Sequence, residues 1–203
     1  MKLWPLVVLL GMAACANPVN RHTASNYFQR GQEALSRGDF AAARVAFSRA
    51  HINAQLGHMG PEAEGQALSK LGVASGNMCL HDEAEEAFRG AVAAYSKAYG
   101  DQPWRTFPAR VELAQFSYDI GRYQKAASYF EEAFAVGGAE LEEIDPAGFA
   151  VIMDDYAEAL KHLGRASEEA NARAKANAAR TRGVKGKSAV QSDDYVRYPK
   201  VCK

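Results

Sequence analysis

The residues of this sequence that could do chemistry are its three cysteines and five histidines. Cys79 and His81 lie two positions apart and could supply two ligands to a metal ion. A structural zinc site uses about four such ligands in paired spacings, and no others stand near this pair. The remaining histidines are scattered, and no nucleophile is spaced to meet a base. The sequence therefore predicts no metal centre, no cofactor and no enzyme active site.

Cys15 stands in a different setting, at the end of an apolar segment. Lys2 is followed by an apolar run from Leu3 to Leu10 and then by small residues. This order is typical of a secretory signal, and the run is too short to cross a bilayer as a helix. Cleavage is expected at one of two places. It could fall before Cys15, or after Ala16, because Ala14-Cys15-Ala16 also fits a small-x-small site.

The segment Met12-Ala13-Ala14-Cys15 resembles a bacterial lipobox, with Met12 where leucine is usual. The resemblance implies cleavage before Cys15, lipidation of that cysteine, and anchoring of the chain to a membrane of the cell envelope. In the enteric sorting rule an aspartate after the cysteine retains a lipoprotein at the inner membrane. Ala16 stands there instead, which favours the outer membrane facing the periplasm. Cleavage after Ala16 would release a soluble periplasmic protein.

If Cys15 carries lipid, Cys79 and Cys202 form an even pair in an oxidising compartment. A disulfide between them would tie the C-terminal tail to the middle of the chain. The alternative is a half-buried Cys79 and a free thiol at Cys202. A disulfide needs Cα atoms within roughly 7 Å. Because the sequence does not show the distance between Cys79 and Cys202, both alternatives remain open.

The elements that must position these residues are predicted by a triplet that recurs along the chain. Each triplet is an alanine, a phenylalanine four residues later and an alanine three residues further, and the copies start 41 and then 42 residues apart. A small residue stands twelve positions before each copy. Because offsets of three and four share one helix face, the pattern predicts repeated helical hairpins. The residues are Ala43/Phe47/Ala50 with Gly31, Ala84/Phe88/Ala91 with Gly72, and Ala126/Phe130/Ala133 with Ala114.

The triplets and their spacing resemble the tetratricopeptide repeat, in the 42-residue spacing of the kinesin light chain type. The resemblance implies an all-α, right-handed superhelix of about four hairpins with a concave binding groove. We expect repeats over 24–60, 62–100, 104–138 and 147–182, the last one degenerate and acting as a cap. A signal peptide (1–14) and a tether (15–23) would precede them, and a basic flexible tail (183–203) would follow.

In that family, fixed positions on the first helix of each hairpin line the groove. Transferred by register, these positions predict a peptide-binding groove formed by Phe28, Gln32, Asn77, Gln115, Tyr118, Asp154 and Glu158. Aromatic and amide groups at one end and carboxylates at the other suit an extended or helical peptide with a basic segment. Since Tyr118 is assigned to the groove, replacing it with alanine is expected to leave folding nearly intact.

The formal net charge of zero provides no overall field that would recruit nucleic acid. We therefore expect a non-enzymatic scaffold that binds other envelope proteins or peptides in its groove and assists assembly of an envelope complex. One alternative is a soluble periplasmic peptide- or solute-binding protein. Another is a thiol-redox enzyme using Cys79, which would need a second cysteine or a base at a helix start. The sequence does not indicate the oligomeric state.

Overall fold

The structure is a computed structural model that describes residues 17–100, 102–183 and 198. The predicted signal peptide, Cys15, Cys202 and the predicted tail, apart from Gly183 and Tyr198, lie outside the described residues. Within the described ranges the chain is all-α, with eight α-helices and a short 3₁₀ helix. None of the helices in these ranges combines the length and the apolar character that crossing a bilayer requires.

The helices form four consecutive hairpins, each packed against the next, so the predicted all-α repeat architecture is confirmed. The second helix of one hairpin contacts the first helix of the following one. In chain order the elements are α1 (Pro18–Ser36), α2 (Phe40–Leu56), α3 (Pro61–Asn77), α4 (His81–Ala98), the 3₁₀ helix (Pro103–Thr106), α5 (Phe107–Asp119), α6 (Tyr123–Ile144), α7 (Pro146–His162) and α8 (Ala166–Gly183).

The Ala-Phe-Ala triplets form the centre of the first three hairpins, as predicted. Phe47, Phe88 and Phe130 are each 0% exposed. The small residue on the first helix is a steric requirement. A Cβ atom at Gly31 would lie 2.7 Å from the Phe47 ring, and one at Gly72 would lie 2.8 Å from the Phe88 ring. The phenylalanine therefore packs directly against the backbone of the first helix.

The fourth hairpin closes the stack with alanines instead of an aromatic ring. Ala172, Ala176 and Ala179 lie on one face of α8 and are buried against Met153 and Leu160 of α7. Arg173 and Arg180 lie at the edge of this face and pair with carboxylates of α7, whereas the side of α8 turned away from α7 is exposed and carries Ser167 and Asn177. This polar outer face is what a terminal repeat needs.

All four hairpin turns use the same backbone geometry. In each hairpin, the residue that follows the C-terminal capping residue of the first helix has a positive φ. The values are 71° at Gly38, 60° at Cys79, 78° at Gly121 and 70° at Gly164. The next residue donates its N–H to a carbonyl five positions earlier, as Leu80 does to Ser75 at 2.9 Å. Glycine adopts positive φ without steric cost, whereas other residues do not.

Two boundaries drawn from the sequence are corrected by the structure, the first at the N-terminus. Helix α1 begins at Pro18, so residues 18–23 are helical and not part of a tether. The Asn17 side chain accepts a hydrogen bond from the Val19 N–H at 3.1 Å. Because Pro18 stands at the first helical position, where its missing N–H costs nothing, the two residues make an N-terminal cap.

The second correction concerns residues 139–146, which the expected repeat bounds leave between the third and fourth hairpins. Helix α6 continues into this segment as far as Ile144. A Cβ atom at Gly137 would lie 2.6 Å from the Cβ atom of Phe107, so this glycine allows close packing of α6 against the start of α5. The continued helix extends past the third hairpin and provides a wall of the cavity described next.

Candidate binding site between the first helices

A cavity of about 650 Å³ opens on the side of the stack that the first helices form. Side chains from α1, α3 and α5 line it, and the C-terminal ends of α4 and α6 close two of its sides. The volume is in the range of sites that hold small ligands or peptide side chains. Its apolar lining includes Phe28, Tyr95, Tyr99, Trp104, Phe107 and Ile144.

Two of these apolar side chains are exposed to solvent. Trp104 is 45% exposed and Ile144 is 78% exposed, and both line the cavity. Large apolar side chains that lie together in contact with water usually mark a docking surface. Aromatic residues are also enriched among the residues that contribute most to protein interfaces.

The aromatic wall is held in place by contacts among its own members. The rings of Tyr95, in the last turn of α4, and Tyr99, its C-terminal capping residue, are stacked with centroids 5.9 Å apart. The Arg105 guanidinium lies 3.9 Å from the centre of the Tyr99 ring. The 3₁₀ helix that carries Trp104 is supported by a hydrogen bond from the Thr106 hydroxyl to the Pro103 carbonyl at 2.6 Å. The wall is thus preorganised before any ligand binds.

The cavity also contains one polar pair at its floor. The Ser69 hydroxyl on α3 donates to Glu112 Oε2 on α5 at 2.6 Å. Burial raises the pKa of Glu112, and the Ser69 hydrogen bond and the nearby Lys70 charge only partly oppose this effect. A carboxylate has about four acceptor positions, so Glu112 can also accept a hydrogen bond from a ligand donor.

Replacing Glu112 with glutamine should show the effect of this burial on stability. Because the pKa of Glu112 in the folded protein lies above its ordinary value of 4.5, the folded protein binds this proton more tightly than the unfolded chain does. The ionised carboxyl therefore reduces stability as the pH rises above about 4.5. Glu112→Gln keeps an acceptor for Ser69 and should melt at a higher temperature than the wild type at about pH 7.

The same melts, repeated at lower pH, provide the check. The advantage of Glu112→Gln is expected to shrink as the pH falls towards about 4, where the wild-type carboxyl is also neutral. Glu86→Gln, at an exposed carboxylate, controls for the loss of one negative charge. An advantage that stays constant over this range would contradict the assignment.

The structure divides the seven predicted groove residues, all of which it describes, into two groups. Phe28 and Gln32 line the cavity, so their assignment to a peptide-binding groove stays a prediction. Asn77 and Gln115 do not line it. The Asn77 amide donates to the Val73 carbonyl of its own helix at 2.9 Å. The Gln115 amide is buried and donates to Asp155 Oδ2 on α7 at 2.9 Å.

The other three groove assignments also need correction. Tyr118 is half-buried against the core between α5 and α6, with its ring 5.8 Å from that of Tyr123. Replacing it with alanine therefore removes core packing, contrary to the expectation of an intact fold. Asp154 and Glu158 form ion pairs with Arg180 and Arg173 of α8, so they hold the last hairpin together.

Most of the residues that line the cavity were not among the predicted groove residues. Tyr95, Tyr99, Trp104 and Ile144 lie on or directly after second helices or on the 3₁₀ helix, outside the first-helix positions that the repeat register uses. The available signal was the clustering of three of them, Tyr95, Tyr99 and Trp104, around the break at 100–103.

Cys79 is disulfide-bonded, and its partner lies outside the described residues. The pairing of Cys79 with Cys202 therefore remains a prediction. Within the described ranges, no three His, Cys, Asp or Glu side chains converge as a metal site would require. The His81 ring packs edge-on against Phe116, with centroids 6.2 Å apart.

Comparisons with protein-family models and with curated proteins find no match. Among solved structures, the chain is similar to the crystal structure of MamA protein. The identity is 17%, the TM-score is 0.45, and the match covers 84% of this chain and 98% of that chain. At this distance the likeness concerns only the general arrangement of helices.

Proposed function

We propose that this protein is a non-enzymatic scaffold that binds a segment of a partner protein in the cavity between its first helices. The observation that carries the proposal is the cavity's preorganised aromatic wall with Trp104 and Ile144 left exposed. A helical-repeat stack offers a long surface whose neighbouring hairpins can each contribute contacts to one extended ligand.

The lining of the cavity indicates which kind of segment would bind. Stacked tyrosines and a tryptophan fit an aromatic or branched aliphatic side chain, because such anchors bury much apolar area. Glu112 and Glu140 supply acceptors beside this apolar surface. The favoured ligand is therefore an extended segment with an apolar anchor and a nearby N–H or cationic donor.

A test can be made without knowing the natural partner. The protein is immobilised, and peptides are selected from a displayed random library. The selected peptides should share an aromatic or aliphatic anchor. Trp104→Ala is expected to weaken their binding by about 30-fold, because the loss of a central aromatic anchor costs about 2 kcal/mol.

The matched control is Leu56→Ala, which removes a side chain that is 56% exposed but does not line the cavity. It should leave the affinity of the selected peptides unchanged. Equal affinities for the wild type and Trp104→Ala would show that the cavity is not the binding site.

We further propose that the chain is exported and anchored by lipid on Cys15 in the bacterial cell envelope, facing the periplasm from the outer membrane. The support is the sequence Met12-Ala13-Ala14-Cys15 after the apolar run. The scaffold would then assist assembly of an envelope complex. One acyl chain binds a membrane only marginally, so stable anchoring needs the several chains of a processed lipoprotein. The alternative is a soluble periplasmic peptide- or solute-binding protein cleaved after Ala16.

Intact mass and membrane partition of the native protein distinguish the two. With lipidation, the mature chain starts at Cys15, carries added lipid mass and partitions with membranes, and Cys15→Ser abolishes all three properties. A soluble chain that starts at Asn17 in both proteins would instead establish the soluble alternative. The cavity proposal stands in either case.

A further inference from the structure

Tyr198 is separated by fourteen residues from the end of α8, yet it is buried against the second and third hairpins. It is 8% exposed, and its ring lies 5.1 Å from that of Phe116 and 6.2 Å from that of Phe88. Its backbone N–H donates to Asp119 Oδ2 at 3.0 Å. A Cβ atom at Gly76 would lie 2.7 Å from the Tyr198 ring, so this glycine leaves space for the ring.

Cys79 lies at the turn immediately beyond Gly76. It has a φ of 60° where the corresponding residue of the other three turns is glycine. A residue with a side chain is disfavoured in this conformation. The turn of the second hairpin is therefore conformationally less favourable than the other three turns. The residue at this position, Cys79, is disulfide-bonded.

We infer that the partner of Cys79 is Cys202, and that this disulfide holds Tyr198 in its buried position against the second and third hairpins. Cys202 follows Tyr198 by four residues, which can span up to about 14 Å. Tyr198 contacts Gly76, which precedes Cys79 by three residues. The sulfur atoms are therefore within reach of each other.

Cys15, the other cysteine in the sequence, is too far away. The start of α1 lies beside the end of α2, since a Cβ atom at Gly57 would be 3.0 Å from the Arg21 backbone nitrogen. Helix α3 begins near that point and has 17 residues, so Cys79 lies about 25 Å away at its other end. The two residues from Asn17 to Cys15 span about 7 Å, and a disulfide permits about 7 Å more between Cα atoms. These two lengths together are shorter than the separation of about 25 Å, so Cys15 is not the partner of Cys79.

Tyr198 packs on the same two helices as the cavity floor, beyond the residues that line the cavity. Ser69, Val73 and Gly76 share a face of α3, and Glu112, Phe116 and Asp119 share a face of α5. Ser69 and Glu112 meet at the cavity floor, whereas Tyr198 sits at Gly76 and Asp119, about 10 Å further along both helices. The Tyr198 ring therefore fills the seam between α3 and α5 on its turn side. This consequence concerns the site of the proposed function, but the disulfide assignment does not depend on it.

Formation of the bond is an ordinary thiol–disulfide exchange. The thiols of Cys79 and Cys202 lose two protons and two electrons as the S–S bond forms. The oxidant is a second disulfide, of a protein or a small molecule, which takes up the two protons and the two electrons and is reduced to two thiols.

The first test is disulfide mapping of the full chain. The unreduced protein is alkylated, digested and analysed by mass spectrometry. The expected product is a peptide containing Cys79 linked to one containing Cys202, which separate on reduction. Linkage of Cys79 to Cys15 or to a second copy of the chain, or its alkylation as a free thiol, would overturn the inference.

The second test asks whether the bond holds Tyr198 in place, by hydrogen exchange of its backbone amide. In the oxidised wild type this amide should be protected by its bond to Asp119. In Cys202→Ser its exchange is expected to be at least about 10-fold faster, because the local opening no longer has to break a covalent closure. The amide of Phe130, in the third hairpin core, serves as the control for intact folding.

Unchanged exchange at Tyr198 in Cys202→Ser would show that the disulfide does not hold Tyr198 in its buried position. A loss of protection at Phe130 as well would show that the variant has unfolded more widely. The disulfide would then stabilise the whole fold and would not act specifically on the contacts of Tyr198. Neither readout uses ligand binding, so both are independent of the peptide-selection experiment.

Discussion

Replacing Phe88 with alanine is expected to lower the free energy of unfolding by about 3–5 kcal/mol, as for other fully buried phenylalanines. The ring is 0% exposed and lies between the two helices of its own hairpin and the first helix of the next, where Leu113 and Phe116 are its neighbours. It packs against the backbone at Gly72, and its centroid is 5.3 Å from that of Phe116. The side chains around it belong to three helices and to Tyr198, so the cavity left by alanine cannot collapse easily.

Denaturant or thermal unfolding followed by circular dichroism measures this change. Val45→Ala, on the exposed face of α2, is a suitable control because Val45 is 47% exposed. We expect it to change stability by less than about 0.5 kcal/mol. A melting temperature of Phe88→Ala close to that of the wild type would mean that the repeat register is wrong.

Reduction of the disulfide at Cys79 is expected to have an effect of similar size. If the partner is Cys202, the bond closes a loop of roughly 120 residues, and its loss should lower the free energy of unfolding by about 4 kcal/mol. The loss arises largely because the unfolded chain gains conformational freedom. Cys202→Ser should reproduce it without reductant, whereas reductant should have no further effect on that variant.

The turn conformation allows a finer comparison at Cys79 itself. Cys79→Gly and Cys79→Ser both remove the disulfide, but only glycine adopts a φ of 60° without steric cost. The glycine variant should therefore be more stable than the serine variant by about 1 kcal/mol. Equal stabilities would indicate that the turn relaxes to another conformation when the disulfide is absent.

The repeat architecture was predictable because it depends on contacts between residues close in the sequence. Phe88 and Gly72 are 16 residues apart and meet within one hairpin, as Phe47 and Gly31 do. The same two residue types at the same spacing make the same contact in each copy. The pattern of residues therefore contains both the element and its partner.

The lining of the cavity was predictable only in part, because its residues come from several elements. Phe28 and Gln32 were identified from their positions on a first helix. Trp104 and Ile144 lie on the 3₁₀ helix and at the end of α6, and only the folded chain brings them to the same cavity. Gln115 occupies a groove position by register, but Asp155 on α7, 40 residues away, pairs with it and buries it.

By itself, the sequence determined the class of fold and the aromatic core of the first three hairpins. Both follow from helix periodicity and residue size, which act over a few turns of helix. The tertiary structure decided the rest. Gly137 has the residue type of a helix break, yet it lies inside α6 because Phe107 packs against it. Tyr198 has no periodic neighbours, and only the space above Gly76, bounded by Phe88 and Phe116, determines where its ring packs.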